Sequence, residues 1–323
     1  MQRRGTAEAI SGPPGIFDTI AVGMSVVLVQ PLLMAVPLLM DAYLWLGARL
    51  SPESLTDPVG RWIARTGGED GRQLGKTLRE GGESFDVMGF AAAFVPSLLG
   101  WVGRDDIASV WGGAVLRPDS PLVVVLAGMA LLIAGVGLGI LFRVPLAFDV
   151  RGASLSVGGV ARAVAIGWLR YLGFLALLAG LVALVLFPAV VLTALFSVVG
   201  VNIAPLLGLL LVVPAMWAAI FLYFAPDAIV LSEVGPIRAV YLSFNVVRRN
   251  FWPSVGFIVV VFVISIGLPL VWARLLDNAP GVLLALLGNA FIATGLALAQ
   301  MRFFYDRLRR WRADLAPTAA PAA

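Results

Sequence analysis

The chain has 323 residues, 60% of them apolar and only 13% charged, with a mean hydropathy of +0.96 and a formal net charge of +4. Ordinary soluble domains carry about 25% charged residues, so a chain of this composition needs lipid as part of its solvent. It has no cysteine and no histidine, which excludes disulfides, thiol catalysis, a cysteine-linked lipid anchor and the usual imidazole proton shuttle or metal ligand.

Residues 1–15 are short and mostly polar, with Arg3 and Arg4. The apolar run Ile16–Leu46 that follows is about twice the length of a signal-peptide core, and it reads as an uncleaved first span kinked at Pro31 and Pro37. Residues 66–84 are rich in glycine and charge and predict a flexible loop. Residues 87–103 carry no charge but are short and split by Pro96; a re-entrant or interfacial segment is preferred over a full span. Five further spans are predicted at 122–142, 171–199, 203–224, 252–272 and 282–304. Trp168, Trp252 and Trp272 sit at or beside their ends, where interfacial aromatics belong. Residues 302–314 form a basic helical extension, and 311–323 close the chain as a disordered tail.

Charge sidedness tests the count. Placing the N-terminus through Asp18, both segments around 143–170 and 225–251, and the tail on one face collects 14 Arg against 7 acidic residues there. Residues 49–120, on the other side, hold 8 basic and 10 acidic residues. The positive-inside rule assigns the arginine-rich face to the cytoplasm. The expectation is an all-α polytopic bundle of six spans with both termini cytoplasmic. Residues 1–120 hold the first span and a non-cytoplasmic loop, and 121–310 form the membrane bundle.

Within the bundle lies a repeat. Gly159–Trp168 matches Gly235–Phe244 at four of ten positions (Gly, Arg, Ala, Val), and both segments end in an aromatic residue. The two copies, at about 145–224 and 226–305, each consist of an amphipathic elbow helix and a hairpin of spans. Two spans separate the elbows, so both lie on one face, unlike the inverted repeats of transporters. In the second elbow Pro236 suits the first turn of a helix. Ile237, Val240, Tyr241, Phe244 and Val247 form an apolar stripe, with Arg238, Asn245, Arg248 and Arg249 elsewhere on the wheel. Such a helix lies in the headgroup region with its arginines toward anionic lipid. Arg162, Arg170, Arg238, Arg248 and Arg249 are the candidate contacts for lipid headgroups or a membrane-protein partner. A plain elbow joining two spans is the simpler alternative.

Gly281, Ala285, Asn289, Ala293 and Ala297 recur four apart, as do Gly135 and Gly139, which lets neighbouring helices approach closely. Asn289 and Asp41 are the candidate intramembrane polar positions, although Asp41 stands near a span end, where a charge says less about an ion route. Asp149, Asp227 and Glu233 lie beyond span ends, solvated or paired with elbow arginines. Residues 70–77 imitate a phosphate-binding loop, but the first glycine is displaced and neither strand nor apolar helix flanks it.

The pattern Ala225-Pro-x-x-Ile-Val-Leu231, Gly235-Pro236, Ala239-Val240, Ser243-Phe244 and Arg249-Asn-Phe-Trp252 resembles the multipass membrane domain found with some bacterial glycerophosphoryl diester phosphodiesterases. It also resembles related bacterial membrane proteins. The likeness covers roughly residues 121–310 and implies surface elbows alternating with helical hairpins. The soluble phosphodiesterase domain of that group has no counterpart in these residues, so no catalytic residue carries over. The functional expectation is a non-catalytic scaffold or envelope-organising protein of the bacterial inner membrane. It needs no cofactor and binds no nucleic acid, and its alternative is a transporter or lipid-translocating component.

Overall fold

The computed structural model describes residues 14–98, 114–276 and 278–315. Its helices, in chain order, are α1 (Ile16–Val29), α2 (Ala35–Leu46), α3 (Glu53–Thr66), α4 (Gly68–Ser84), α5 (Gly89–Ala92) and α6 (Pro121–Arg151). They continue with α7 (Val157–Val198), α8 (Ala204–Leu222), α9 (Ala225–Leu231), α10 (Pro236–Arg249), α11 (Phe251–Ala273) and α12 (Ala279–Leu315). Two-residue strands β1 (Arg49–Leu50) and β2 (Val115–Leu116) pair in parallel. Among the described residues, five elements are long and apolar enough to cross a membrane: α6, α7, α8 with α9, α11 and α12. The pair α1 and α2 makes a sixth if counted as one crossing. The protein is therefore an all-α polytopic helix bundle.

Several predicted elements differ from those observed. The first span is not one kinked helix: a 3-10 turn at Pro31–Met34 separates α1 from α2, and the two bend by 100°. Pro37, inside α2, causes no break. The first elbow is not a separate helix either. Ser156 caps it by accepting from Gly159 N–H at 3.2 Å, and the helix then runs unbroken for 42 residues. At 1.5 Å per residue that is about 63 Å, twice the roughly 30 Å hydrocarbon core. The end carrying Arg162 and Arg170 therefore projects beyond the uncharged stretch that starts at Tyr171.

Residues 68–84 are a helix, α4, rather than a loop. Each interior glycine costs about 1 kcal/mol of helix propensity relative to Ala, but here the glycines form the contact with α3. A Cβ at Gly60 would lie 2.8 Å from the Gly75 carbonyl, one at Gly75 would collide with Gly60, and one at Gly82 would collide with Thr56. Close packing offsets the propensity loss. The polar residues occupy the outer faces, with the i,i+4 pairs Arg61–Asp57 and Lys76–Glu80.

Contacts divide the chain into two compact units, one of residues 1–26, 143–262 and 295–323, the other of 27–142 and 263–294. In the second unit, residues 87–98 hold only the single turn α5, against which the glycine pair of α6 is pressed. A Cβ at Gly135 would lie 2.5 Å from the Phe90 carbonyl, and one at Gly139 would lie 2.8 Å from that of Phe94. Residues 311–315, expected in the disordered tail, instead continue α12; the rest of the 87–103 segment and residues 316–323 lie outside the described residues. Asp41 is fully buried within the protein. It accepts from the Ser97 hydroxyl and from Leu98 N–H at 3.0 Å, tying α2 to the end of that segment.

The first unit is built around stacked aromatics. Phe224 lies 5.5 Å and Phe257 4.4 Å, centroid to centroid, from Phe303, and all three are fully buried. Such offset pairs add about 0.5–1.5 kcal/mol each to their area burial. Helix α1 packs on α12 through small residues: a Cβ at Gly23 would collide with the Gly295 carbonyl. The most apolar stretches of α7 and of α8 with α9 have no buried residue, against 56% for α12. Hydrocarbon is the solvent that such all-round apolar helices require.

Candidate functional site

Helix α9 is the short element on which the site of the first unit is assembled, because both elbows pack against it. It begins where α8 gives way at Tyr223–Phe224. Pro226 stands in its first turn, where a missing N–H costs nothing. Ser243 of α10 bridges the break: its hydroxyl donates to the Phe221 carbonyl at 2.7 Å and accepts from Phe224 N–H at 3.2 Å.

Asp227, in the first turn of α9, is fully buried. One of its oxygens accepts from the Arg143 guanidinium of α6, and the other accepts from Gln300 Nε2 of α12 at 2.6 Å. Both carboxylate oxygens are engaged, so three separate helices are tied together at one buried charge. Asp149 pairs with Arg302 at 2.9 Å and Glu233 with Arg151 at 2.6 Å. These partners are not the elbow arginines Arg162, Arg170, Arg238, Arg248 and Arg249. They sit instead on α6 and α12, where the wheel of a single elbow could not reveal them.

Beside this latch lies a cavity of about 440 Å³ between the end of α6, the first turns of α7 and the end of α9. Arg162 and Arg170, eight residues apart on one helix face, line it together with Arg151. Glu233, itself 60% exposed and bound to Arg151, is the acid on the lining. Val144, Phe148, Ile166 and Val230 form the apolar remainder. The Arg151 guanidinium lies 4.8 Å from the centre of the Phe148 ring. Its buried Nε has no hydrogen-bond partner among the described residues. The chemistry offered is a net-positive mouth over an apolar wall.

The arginines of the second elbow are placed differently. Arg238, Arg248 and Arg249 are exposed on α10, and Arg249 stacks over Trp311 at 5.3 Å. The helix has three faces. Ile237, Tyr241 and Phe244 remain exposed, as a lipid-facing stripe would, but Val247 is buried. Asn245 is buried as well, not surface-facing, and donates to the Tyr241 carbonyl at 2.8 Å. Ala239, Leu242 and Val246 pack inward. Thus Arg162 and Arg170 share a cavity, and Arg238, Arg248 and Arg249 do not join them there.

In the second unit Asn289 is only 9% exposed, and its Nδ2 has no hydrogen-bond partner among the described residues. No cluster of acidic residues suited to a metal ion occurs among the described residues.

These features define the class as a polytopic α-helical membrane protein with a buried ionic latch and an arginine-lined cavity. Comparison with known proteins found no matching family model, no similar curated protein and no similar solved structure.

Proposed function

We propose that this chain is a non-catalytic protein of the bacterial inner membrane that binds anionic lipid headgroups at its cytoplasmic face and serves there as a scaffold or envelope organiser. The arginine-lined cavity carries the reading. A phosphate takes charge-assisted hydrogen bonds from guanidinium groups, and the apolar wall of Val144, Phe148, Ile166 and Val230 accepts the adjoining glycerol and upper acyl chain. Arginine near an anionic leaflet contributes about 1 kcal/mol. The arginine-rich face is the cytoplasmic one by the charge rule, and the likeness of residues 225–252 to the phosphodiesterase-associated membrane domains agrees with elbows on that face.

The test is native mass spectrometry of the purified chain with equal anionic and zwitterionic phospholipid. Retained anionic lipid should fall about thirtyfold in the Arg162→Ala/Arg170→Ala double variant, the equivalent of about 2 kcal/mol. The Arg238→Ala/Arg248→Ala control should lose far less. Equal retention of both lipid classes by the parent, or no change in the pocket variant, overturns the proposal. Transport is the second reading, favoured by the buried Asn289, whose Nδ2 has no hydrogen-bond partner among the described residues. It requires substrate flux in proteoliposomes that Asn289→Leu reduces.

A further inference from the structure

The second unit contains a larger cavity, about 650 Å³, between the α3–α4 hairpin, residues 85–90 and the first turns of α6. We propose that it holds one acyl chain of a bilayer phospholipid. This site is independent of the arginine cavity.

The lining leaves no polar group to spare. Its only side-chain polar atoms are the hydroxyls of Thr56 and Thr77. Each donates to a carbonyl one turn back in its own helix, Thr56 to Pro52 at 3.3 Å and Thr77 to Gln73 at 3.1 Å. A polar ligand would lose its water without gaining a partner, so the occupant is hydrocarbon. The volume lies within the roughly 300–1,000 Å³ range of small-molecule sites.

The shape and setting select the kind of hydrocarbon. Val125, Met129 and Leu132 line the cavity along about 10 Å of α6. All three are exposed, as are Leu122 and Leu126 on the same membrane helix. The cavity thus opens onto the surface that bilayer lipid wets. Its opposite wall is an amphipathic hairpin whose charged pairs face outward, the pattern of an interfacial element. A chain entering sideways from the leaflet keeps its headgroup at that interface. A partner's membrane helix, about 10–12 Å across with its side chains, needs a broad face instead. Burial of Leu74 (58% exposed), Phe85 (49%) and Met129 (55%) under a methylene chain is favourable at about 25 cal/mol per Å².

The experiment uses the full chain in nanodiscs containing a phospholipid with a photoreactive group on one acyl chain, with cross-links mapped by peptide mass spectrometry. The exposed face of α8, at Leu209, Val212 and Met216, reports contact with bulk lipid. Labelling at Leu74, Phe85 and Met129 should exceed that reference about fivefold. It should drop to the reference level in both Gly81→Leu and Met129→Trp, which fill the cavity from opposite walls. A Cβ at Gly81 meets nothing within 4 Å, so that variant tests filling without a clash, and circular dichroism verifies that both variants fold. Labelling equal to that of α8, labelling unchanged by the fillers, or cross-links from these positions to a second protein chain would each overturn the proposal.

Discussion

The two elbow segments share four of ten residues and yet are built differently. Gly159–Trp168 is the start of a 42-residue helix that runs on into the membrane, whereas Gly235–Phe244 belongs to a 14-residue helix that stops at Asn250. The difference lies just beyond the matched residues. Asn250 donates from Nδ2 to the Val246 carbonyl at 3.1 Å while its own carbonyl accepts from Ser254 N–H at 2.8 Å. Pro253 then fits the first turn of α11, where no N–H is needed. The positions in register with these are Phe174 and Leu177, and neither interrupts a helix. One elbow therefore carries its arginines on the lining of a cavity, and the other carries its arginines outside it. The N-terminus of the second elbow rests on the helix of the first: a Cβ at Gly173 would lie 3.2 Å from Pro236 Cγ. Four shared residues in ten thus accompany helices of different length and setting.

The largest effect should come from the floor the elbows share. Asp227→Ala strands the Arg143 guanidinium, whose side chain is 21% exposed, and removing one partner of such a pair costs up to about 3–5 kcal/mol. Thermal unfolding in detergent should show the loss, and Arg143→Met/Asp227→Leu should recover part of it, because a well-packed apolar replacement is often neutral. A single variant as stable as the parent would remove the latch from the account.

Ser243→Ala separates the elbows, since only the second uses that hydroxyl. The stranded Phe224 N–H should cost about 1–3 kcal/mol, and hydrogen exchange should rise in residues 221–231 with the first turns of α7 unchanged. Asn250→Ala should cost about 0.5–1.5 kcal/mol and speed exchange at the junction of α10 and α11. No comparable change is expected from Leu177→Ala in the continuous helix. The smallest effect is a difference in salt response. Exposed Arg238 and Arg248 should contribute less to vesicle binding as ionic strength rises, because the screening length falls to about 8 Å at 0.15 M. Arg170, half-buried on the cavity lining, should be less sensitive, which a salt titration of Arg170→Ala against Arg238→Ala/Arg248→Ala would reveal.

Much of the architecture was legible because the bilayer makes length and charge decisive. Uncharged runs located α6, α7, α8, α11 and α12, and Gly235-Pro236 marked the start of α10. The glycines of residues 67–82 misled, since a glycine favours loops in isolation but here serves helix contact, and only the four- and seven-residue spacing of Gly67, Gly71, Gly75 and Gly82 hints at it. Arg162 and Arg170 stood out from the sequence. Arg143 and Asp227 did not, because 84 residues separate them and each, viewed alone, looks like a charge at a span end. The bonding of Asp41 was hidden for the same reason: its partners Ser97 and Leu98 are 56 and 57 residues away, beyond a segment whose path no periodicity describes.

The most direct measurement is labelling of single cysteines by an impermeant thiol reagent on intact cells, which the cysteine-free chain permits without background. The exposed positions Ser154, Arg238 and Glu69 avoid the Ser156 cap and the tight contact at Gly67. Cysteine at 69 should react at once, while those at 154 and 238 should stay protected until the membrane is opened. Opposite behaviour of 154 and 238 would contradict the placement of both elbows against one leaflet.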